Sequence, residues 1–395
     1  MGNLRVGSDS VPNCGCPCGI IKDMIWFDAH LDLAYLAVNG RDMFAPLDRD
    51  AQPHPPAAVT LASLEEGSVA LALATIFTEP GGTGPEGYPV GDGERAYRVG
   101  RAQLEVYLTW RDMKRVSLDL RRHLYREPDT GEIRGGMGVA EPKPHSARSI
   151  ADRLPREPAL HLGILIENAD PIRAPDELAW WQERGVCAIG MAWAKSSRYA
   201  GGNSTRDGLS DQGRALVKEM DRLRLVHDGS HLSDRAFDEL CGLSAAPIIA
   251  SHSNVRALLG DPENQRHLSD HQIREIARRG GVIGLNLFSK FLRNGQGLAP
   301  GSESRATIEQ TLAHVEHICQ LTGGREHVGL GSDMDGGFSA AKLPEGIDRP
   351  AQTDLLLKAL AAAGWTNNEL FSFACGNWIR FWSSVAAGGK PPQAR

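Results

Sequence analysis

The sequence predicts an α/β fold, a TIM-like (β/α)8 barrel with insertions in the βα loops, on three observations. Eight short apolar runs recur along the chain, most are followed by an amphipathic stretch, and no strand–GxGxxG–helix unit breaks the pattern. Continuous apolar strands alternating with helices mark a parallel sheet covered on both faces. Eight of them in about 310 residues is the strand count of a barrel. A doubly wound sheet is the rival. The pairs Gly201-Gly202, Gly280-Gly281 and Gly336-Gly337 lack the spacing its nucleotide loop needs.

The predicted strands fall near 24–29, 68–78, 161–166, 187–192, 224–230, 247–251, 281–287 and 327–332. Helical stretches follow at 94–113, 211–223, 269–279 and 304–321, each with apolar residues three and four apart. Gly/Pro-rich residues 79–92 read as a loop leaving the second strand. Residues 1–22 read as an irregular leader, 23–385 as a single barrel domain and 386–395 as a flexible tail. Trp180, Trp181, Trp378 and Trp382 read as packing residues. His314 and His317, one turn apart on the 304–321 helix outside the barrel, are expected on its exposed surface.

Composition narrows the function. The 395 residues carry 43 Lys plus Arg against 49 Asp plus Glu, a formal net charge of −6. That balance gives no electrostatic footprint for nucleic acid. A hydrophobic fraction of 41% excludes disorder over the whole chain. The longest apolar run, Val69–Phe77, is about half of what a membrane helix needs, so no membrane association is expected. The opening residues lack a cationic segment followed by an apolar one, the form of a secretory signal. Cys187, Cys241, Cys319 and Cys375 are scattered singly through apolar segments, as reduced thiols of a cytoplasmic protein would be. Cys14, Cys16 and Cys18 read as part of a leader with no fixed role.

In a parallel barrel the reactive groups sit where strands end and βα loops begin. The first run ends Asp28-Ala-His30-Leu-Asp32, the third in Glu167, the fifth in His231, the sixth in His252 and the eighth in Asp333. Three imidazoles and three carboxylates thus converge on one rim. Buried carboxylates are costly unless paired or bound to metal, and this donor set suits Zn²⁺, Mn²⁺ or Fe²⁺. His30 and Asp32 can grip one ion, His231 and His252 a second, and the two oxygens of Glu167 can bridge them. Water near such ions ionises close to neutrality, supplying hydroxide. Asp333 is left as the acid/base group. Asp28 and Asp335 share faces with His30 and Asp333 and are expected to orient them. Asn254 is expected at the pocket rim.

These residues resemble the membrane (renal) dipeptidase family of the metal-dependent amidohydrolase superfamily. The matching motifs are Asp28-Ala-His30-Leu-Asp32, Ser230-His231-Leu-Ser-Asp234, Pro247-Ile-Ile-Ala-Ser-His252-Ser-Asn254 and Gly329-Leu-Gly-Ser-Asp333-Met-Asp335-Gly336. The resemblance implies a binuclear zinc centre held by His30, Asp32, Glu167, His231 and His252. It implies dipeptide hydrolysis through a metal-bridging hydroxide, Asp333 as proton carrier and a homodimer. Trp193 stands where many members carry a His that binds the substrate carbonyl. Arg266 best fits the family's Arg for the substrate carboxylate. The Trp193 departure keeps open a related amidohydrolase acting on N-acyl amino acids or lactones. A non-catalytic barrel that binds metal or a ligand is the third reading.

Overall fold

A computed structural model describes residues 24–120, 158–294 and 304–387. The leader, with Cys14, Cys16 and Cys18, and most of the tail lie outside the described residues.

Eight parallel strands form one sheet: β1 (Trp26–Leu31), β2 (Val69–Phe77), β3 (His161–Glu167), β4 (Val186–Gly190), β5 (Val226–Asp228), β6 (Ile248–Ile249), β7 (Ile283–Leu285) and β8 (Val328–Leu330). Their spatial order is β6-β5-β4-β3-β2-β1-β8-β7. The ends of that sheet meet. Ala250, just past β6, bridges Ile283 of β7, and the Gly284 N–H donates to the Ala250 carbonyl at 2.8 Å. The result is the predicted barrel.

Every residue of β1 and β3 is buried, since one face looks into the barrel and the other onto helices. Phe27 of β1 stacks on Trp378 of the C-terminal helix Asn377–Ala386 at 5.6 Å, and Trp378 Nε1 donates to the Leu330 carbonyl of β8 at 3.1 Å. The interior is tight. A Cβ at Gly284 or Gly331 would lie 1.9 or 1.8 Å from the Ser251 carbonyl oxygen, so β7 and the residue after β8 come this close to the turn after β6 only as glycine.

Several helices start on side-chain caps as the chain leaves the βα loops. Ser210 accepts the Gly213 N–H and Ser233 that of Ala236, both at 3.0 Å. Residues 79–92 are more ordered than a plain loop. Glu79–Pro80 pairs with Gly87–Tyr88 in a short ribbon. The Tyr88 hydroxyl donates to Asp170 at 2.5 Å and accepts from Asn168 at 2.8 Å, bolting the ribbon to the end of β3.

One surface expectation is overturned. His314 is fully buried: Nδ1 accepts the Val255 N–H at 3.0 Å and Nε2 lies 3.2 Å from the Leu292 carbonyl. The helix Ile308–Thr322 buries the face that carries Thr311, Leu312, Val315 and Ile318, and His314 lies on that face. His317 is half-buried and pairs with Asp270 at 2.9 Å. Among the described residues no helix is long and apolar enough to cross a membrane.

Candidate metal centre and active site

His231, His252 and Asp333 each lie three residues past the last residue of β5, β6 and β8, while Glu167 ends β3 and His30 lies in β1. The parallel register opposes Asp228 to Ile249, which brings His231 and His252 to the same height. His231 and Asp333 adopt left-handed backbone, φ 64° and 58°, which a non-glycine residue holds only under constraint from its surroundings.

The six rim residues come together. His30 Nε2 is 3.4 Å from Glu167 Oε2 and 3.8 Å from Asp32 Oδ1. His231 Nε2 and His252 Nε2 lie 3.2 and 3.4 Å from Glu167 Oε1. The carboxylate of Glu167 is therefore divided, one oxygen for each group. Donor atoms of His30, Glu167 and His252 lie within 4.8 Å of one another, as do those of His30, Asp32 and Asp333. Asp333 thus sits within ligating reach as well as beside the cavity.

A cation fits this centre. His30 Nε2 and Glu167 Oε1 are buried with no hydrogen bond, a costly state for a polar atom. Gly336 leaves a cradle: a Cβ there would lie 1.9 Å from Asp333 Oδ1 and 2.8 Å from Asp32 Oδ2. The electrostatics agree. Burial opposes a charge on His30, yet Glu167, Asp32 and Asp333 together hold its imidazole up at about 10. Burial raises Asp32 to about 6 against the pull of His30. Burial also drives Asp333 up to about 8, with Asp32 adding and His30 and Arg266 opposing. Glu167 is held far below the carboxylate range, because His30 and His231 outweigh its burial. His231 is pushed down to about 4 by burial and the Arg266 charge.

The centre opens into a cavity of about 590 Å³ lined by Asp32, Glu167, His231, His252, Asp333, Arg266 and Trp193. Arg266 is buried. Its guanidinium donates to the His252 carbonyl at 2.9 Å and to Ser253 Oγ at 3.2 Å, and lies over Phe291 at 5.1 Å. Among the described residues no carboxylate comes within ion-pair reach of it. Trp193 stands edge-on to Phe77 at 5.2 Å and 6.0 Å from His231, as one wall.

Three expected roles change. Asp28 does not touch the His30 ring; it accepts the backbone N–H of His30 and Ser332 and the Ser332 hydroxyl. Asp335 pairs with Arg41 and accepts the N–H of Ala58 and Val59, fixing the segment after β1. Asn254 is buried behind the rim. Its amide donates to the carbonyls of Asn286 and Phe291, each at 2.9 Å.

The residues that orient the site are ones the motifs do not announce. Ser251 Oγ contacts His30 Nδ1 at 3.1 Å and His252 Nδ1 at 2.8 Å. Asn203 Oδ1 faces His231 Nδ1 at 2.8 Å. Thr75 donates to Asp32, and Asn286 donates to Asp333. A polar residue inside or just after an apolar strand is the signal that marks Thr75 and Ser251.

Residues 142–394 match the profile of the membrane dipeptidase family (peptidase family M19). The chain belongs to this family. Membrane dipeptidases of this family are metal-dependent, and the chain is accordingly a metallohydrolase. An uncharacterised protein in the pqqA 5′ region of Klebsiella pneumoniae is 32% identical over 210 residues, 51% of this chain and 73% of that protein. An uncharacterised dipeptidase of Schizosaccharomyces pombe is 34% identical over 200 residues, which span 50% of this chain and only 44% of that protein. The crystal structure of dipeptidase AC, a metallopeptidase of the same family, superposes with a TM-score of 0.70 at 25% identity, covering 93% of this chain and 99% of that one. The membrane dipeptidase barrel is thus shared across nearly the whole chain.

Proposed function

We propose that the chain hydrolyses the amide bond of small dipeptides with two Zn²⁺ ions, His30 and Asp32 holding one, His231 and His252 the other, and Glu167 joining both. The observation that carries this reading is the divided Glu167 carboxylate, with Oε2 toward His30 and Oε1 toward His231 and His252. Two divalent ions, when bound, supply activated water at neutral pH and an electrostatic sink for charge developing on the carbonyl oxygen.

The chain's own residues do the rest. Asp333 is held at Oδ2 by Asn286 at 2.8 Å, so its other oxygen is free to take a proton from water and hand it to the departing amine. Arg266 keeps unspent N–H donors on the cavity wall, and a planar guanidinium takes a carboxylate by two parallel bonds. It anchors the C-terminal carboxylate of the peptide, which favours short substrates. Trp193, Phe77 and Phe288 close apolar walls around the bond and exclude water.

Trp193 supports a second reading. An apolar wall beside His231 suits the acyl group of an N-acyl amino acid or a lactone ring as well as a peptide side chain. One experiment tests both. Zinc-loaded protein is assayed on L,L and L,D dipeptides, N-acyl amino acids and lactones, with Glu167→Ala alongside. Dipeptide turnover lost in the variant is the expected result. Undiminished turnover in Glu167→Ala would reject the site, and preference for the non-peptide panel would select the second reading.

A further inference from the structure

The hydroxyl of Ser251 touches imidazoles from both halves of the centre. Its Oγ lies 2.5 Å from Asp228 Oδ2, 2.8 Å from His252 Nδ1 and 3.1 Å from His30 Nδ1. All four residues are buried. A serine hydroxyl has one proton and two lone pairs. Asp228 already accepts two backbone N–H bonds at Oδ1, from Ser230 at 3.0 Å and Ser251 at 2.9 Å, and an ionised carboxylate only accepts. The hydroxyl proton therefore goes to Asp228 Oδ2, the shortest of the three contacts. Both lone pairs of Oγ are left for the two imidazoles. Ser230 Oγ, at 3.4 Å, is farther than any of these partners.

We infer that Ser251, set by Asp228, is a positioning residue that fixes the proton of both His30 and His252 on Nδ1, so that one hydroxyl turns the Nε2 lone pair of a ligand from each half of the centre toward the metals. With Asn203 Oδ1 accepting from His231 Nδ1, His231 Nε2 also carries a lone pair, and it faces that of His252 at 3.0 Å. Two opposed lone pairs at that distance repel unless a cation lies within reach of both. The two half-sites are thereby linked through one proton: disturb it and both lose a ligand's orientation. The inference rests on the metal-centre reading above.

Two variants disturb this hydroxyl differently. Ser251→Ala removes the acceptor from both rings. Asp228→Asn is isosteric, but its oxygen must stay where the two backbone N–H groups point, which turns its NH₂ toward Ser251. The serine then has to donate to one ring, whose own proton moves to Nε2, where it blocks a ligand position.

Zinc uptake by metal-free protein, measured against a competing chromophoric chelator, tests this without an activity assay. The unaltered chain should take two ions. Ser251→Ala should weaken both, about 10–100-fold. Asp228→Asn should weaken one chiefly, and Ser251→Thr, which keeps the hydroxyl, should stay near the unaltered chain. Long-range ¹H–¹⁵N spectra of the imidazoles in the unaltered chain provide a reading that needs no variant. Nδ1 of His30 and His252 should carry a proton with and without zinc. Equal zinc uptake by Ser251→Ala, or a bare Nδ1 on either ring, overturns the inference alone. An unaltered chain that takes up no ion overturns the metal-centre reading and this inference with it.

Discussion

Asn286, the residue after β7, donates from Nδ2 to Asp333 Oδ2 at 2.8 Å across 47 positions of sequence. Its own Oδ1 accepts the Phe288 N–H at 2.7 Å and its N–H donates to Asn254 Oδ1 at 3.1 Å, so the amide cannot turn over. A hydrogen bond to a carboxylate in a buried site is worth about 1.5–3 kcal/mol. Asn286→Ala should lower kcat about 10–100-fold while zinc content stays unchanged. Steady-state kinetics with metal analysis on the same sample checks it, and wild-type kcat would remove Asp333 from the proton path.

Arg266 predicts how the substrate is held. Arg266→Lys keeps a positive charge but loses the planar pair of donors. We expect kcat/KM for a dipeptide to fall about 10–100-fold, mostly through KM. A dipeptide whose C-terminus is amidated should be a poor substrate of the unaltered enzyme and should lose little more in the variant. Equal losses on both substrates would assign Arg266 to the wall alone.

Gly336 holds open the space between Asp32 and Asp333. Its backbone does not require glycine, but a Cβ would lie 1.9 Å from Asp333 Oδ1. Gly336→Ala must displace that carboxylate, and displacements of about 1 Å cost roughly a hundredfold in rate. Thermal melts should show a folded barrel, while turnover and zinc retention fall together. Full activity in this variant would mean the two carboxylates need not stay in place.

His314 predicts a pH dependence of stability that is separate from the active site. Burial, with His317 adding, pushes its ring down from 6.5 to about 4. The unfolded chain therefore binds the proton more readily than the folded one. Its stabilising share is complete above about pH 6.5 and is lost as pH falls toward about 4, roughly 3 kcal/mol in all. Thermal melts near pH 7.5 and about pH 5 should differ less in His314→Gln than in the unaltered protein. An unchanged difference would place the acid sensitivity elsewhere.

Much of this was open to inspection in the residue order. β3 reads as an unbroken apolar run because both faces are covered, and Glu167 stands out as the polar residue that ends it. The same contrast exposes His231, His252 and Asp333. The hydrogen-bond partners do not show in this way. His30 and Ser251 are 221 positions apart, and no local pattern pairs them. Asp28 and Asp335 mislead because alternation places them on the right face, while close backbone N–H groups capture their oxygens first. His314 misleads in the opposite sense. A ring that could bind a metal instead replaces two missing backbone partners inside the helix layer.

The barrel wall is uneven, and that has a bearing on which peptides it can serve. β2 and β3 run seven residues in register, from Leu71 opposite His161 to Phe77 opposite Glu167, whereas the circle is completed beyond β6 at the single Ala250–Ile283 bridge. Glu167 thus ends the longest-paired stretch of the wall, while single pairs, Asp28–Leu330 between β1 and β8 and Ala250–Ile283 at the closure, flank His30 and His252. We expect a bulkier substrate to be accommodated by small shifts at these single-pair seams rather than beside Glu167, whose strand is held along its whole length.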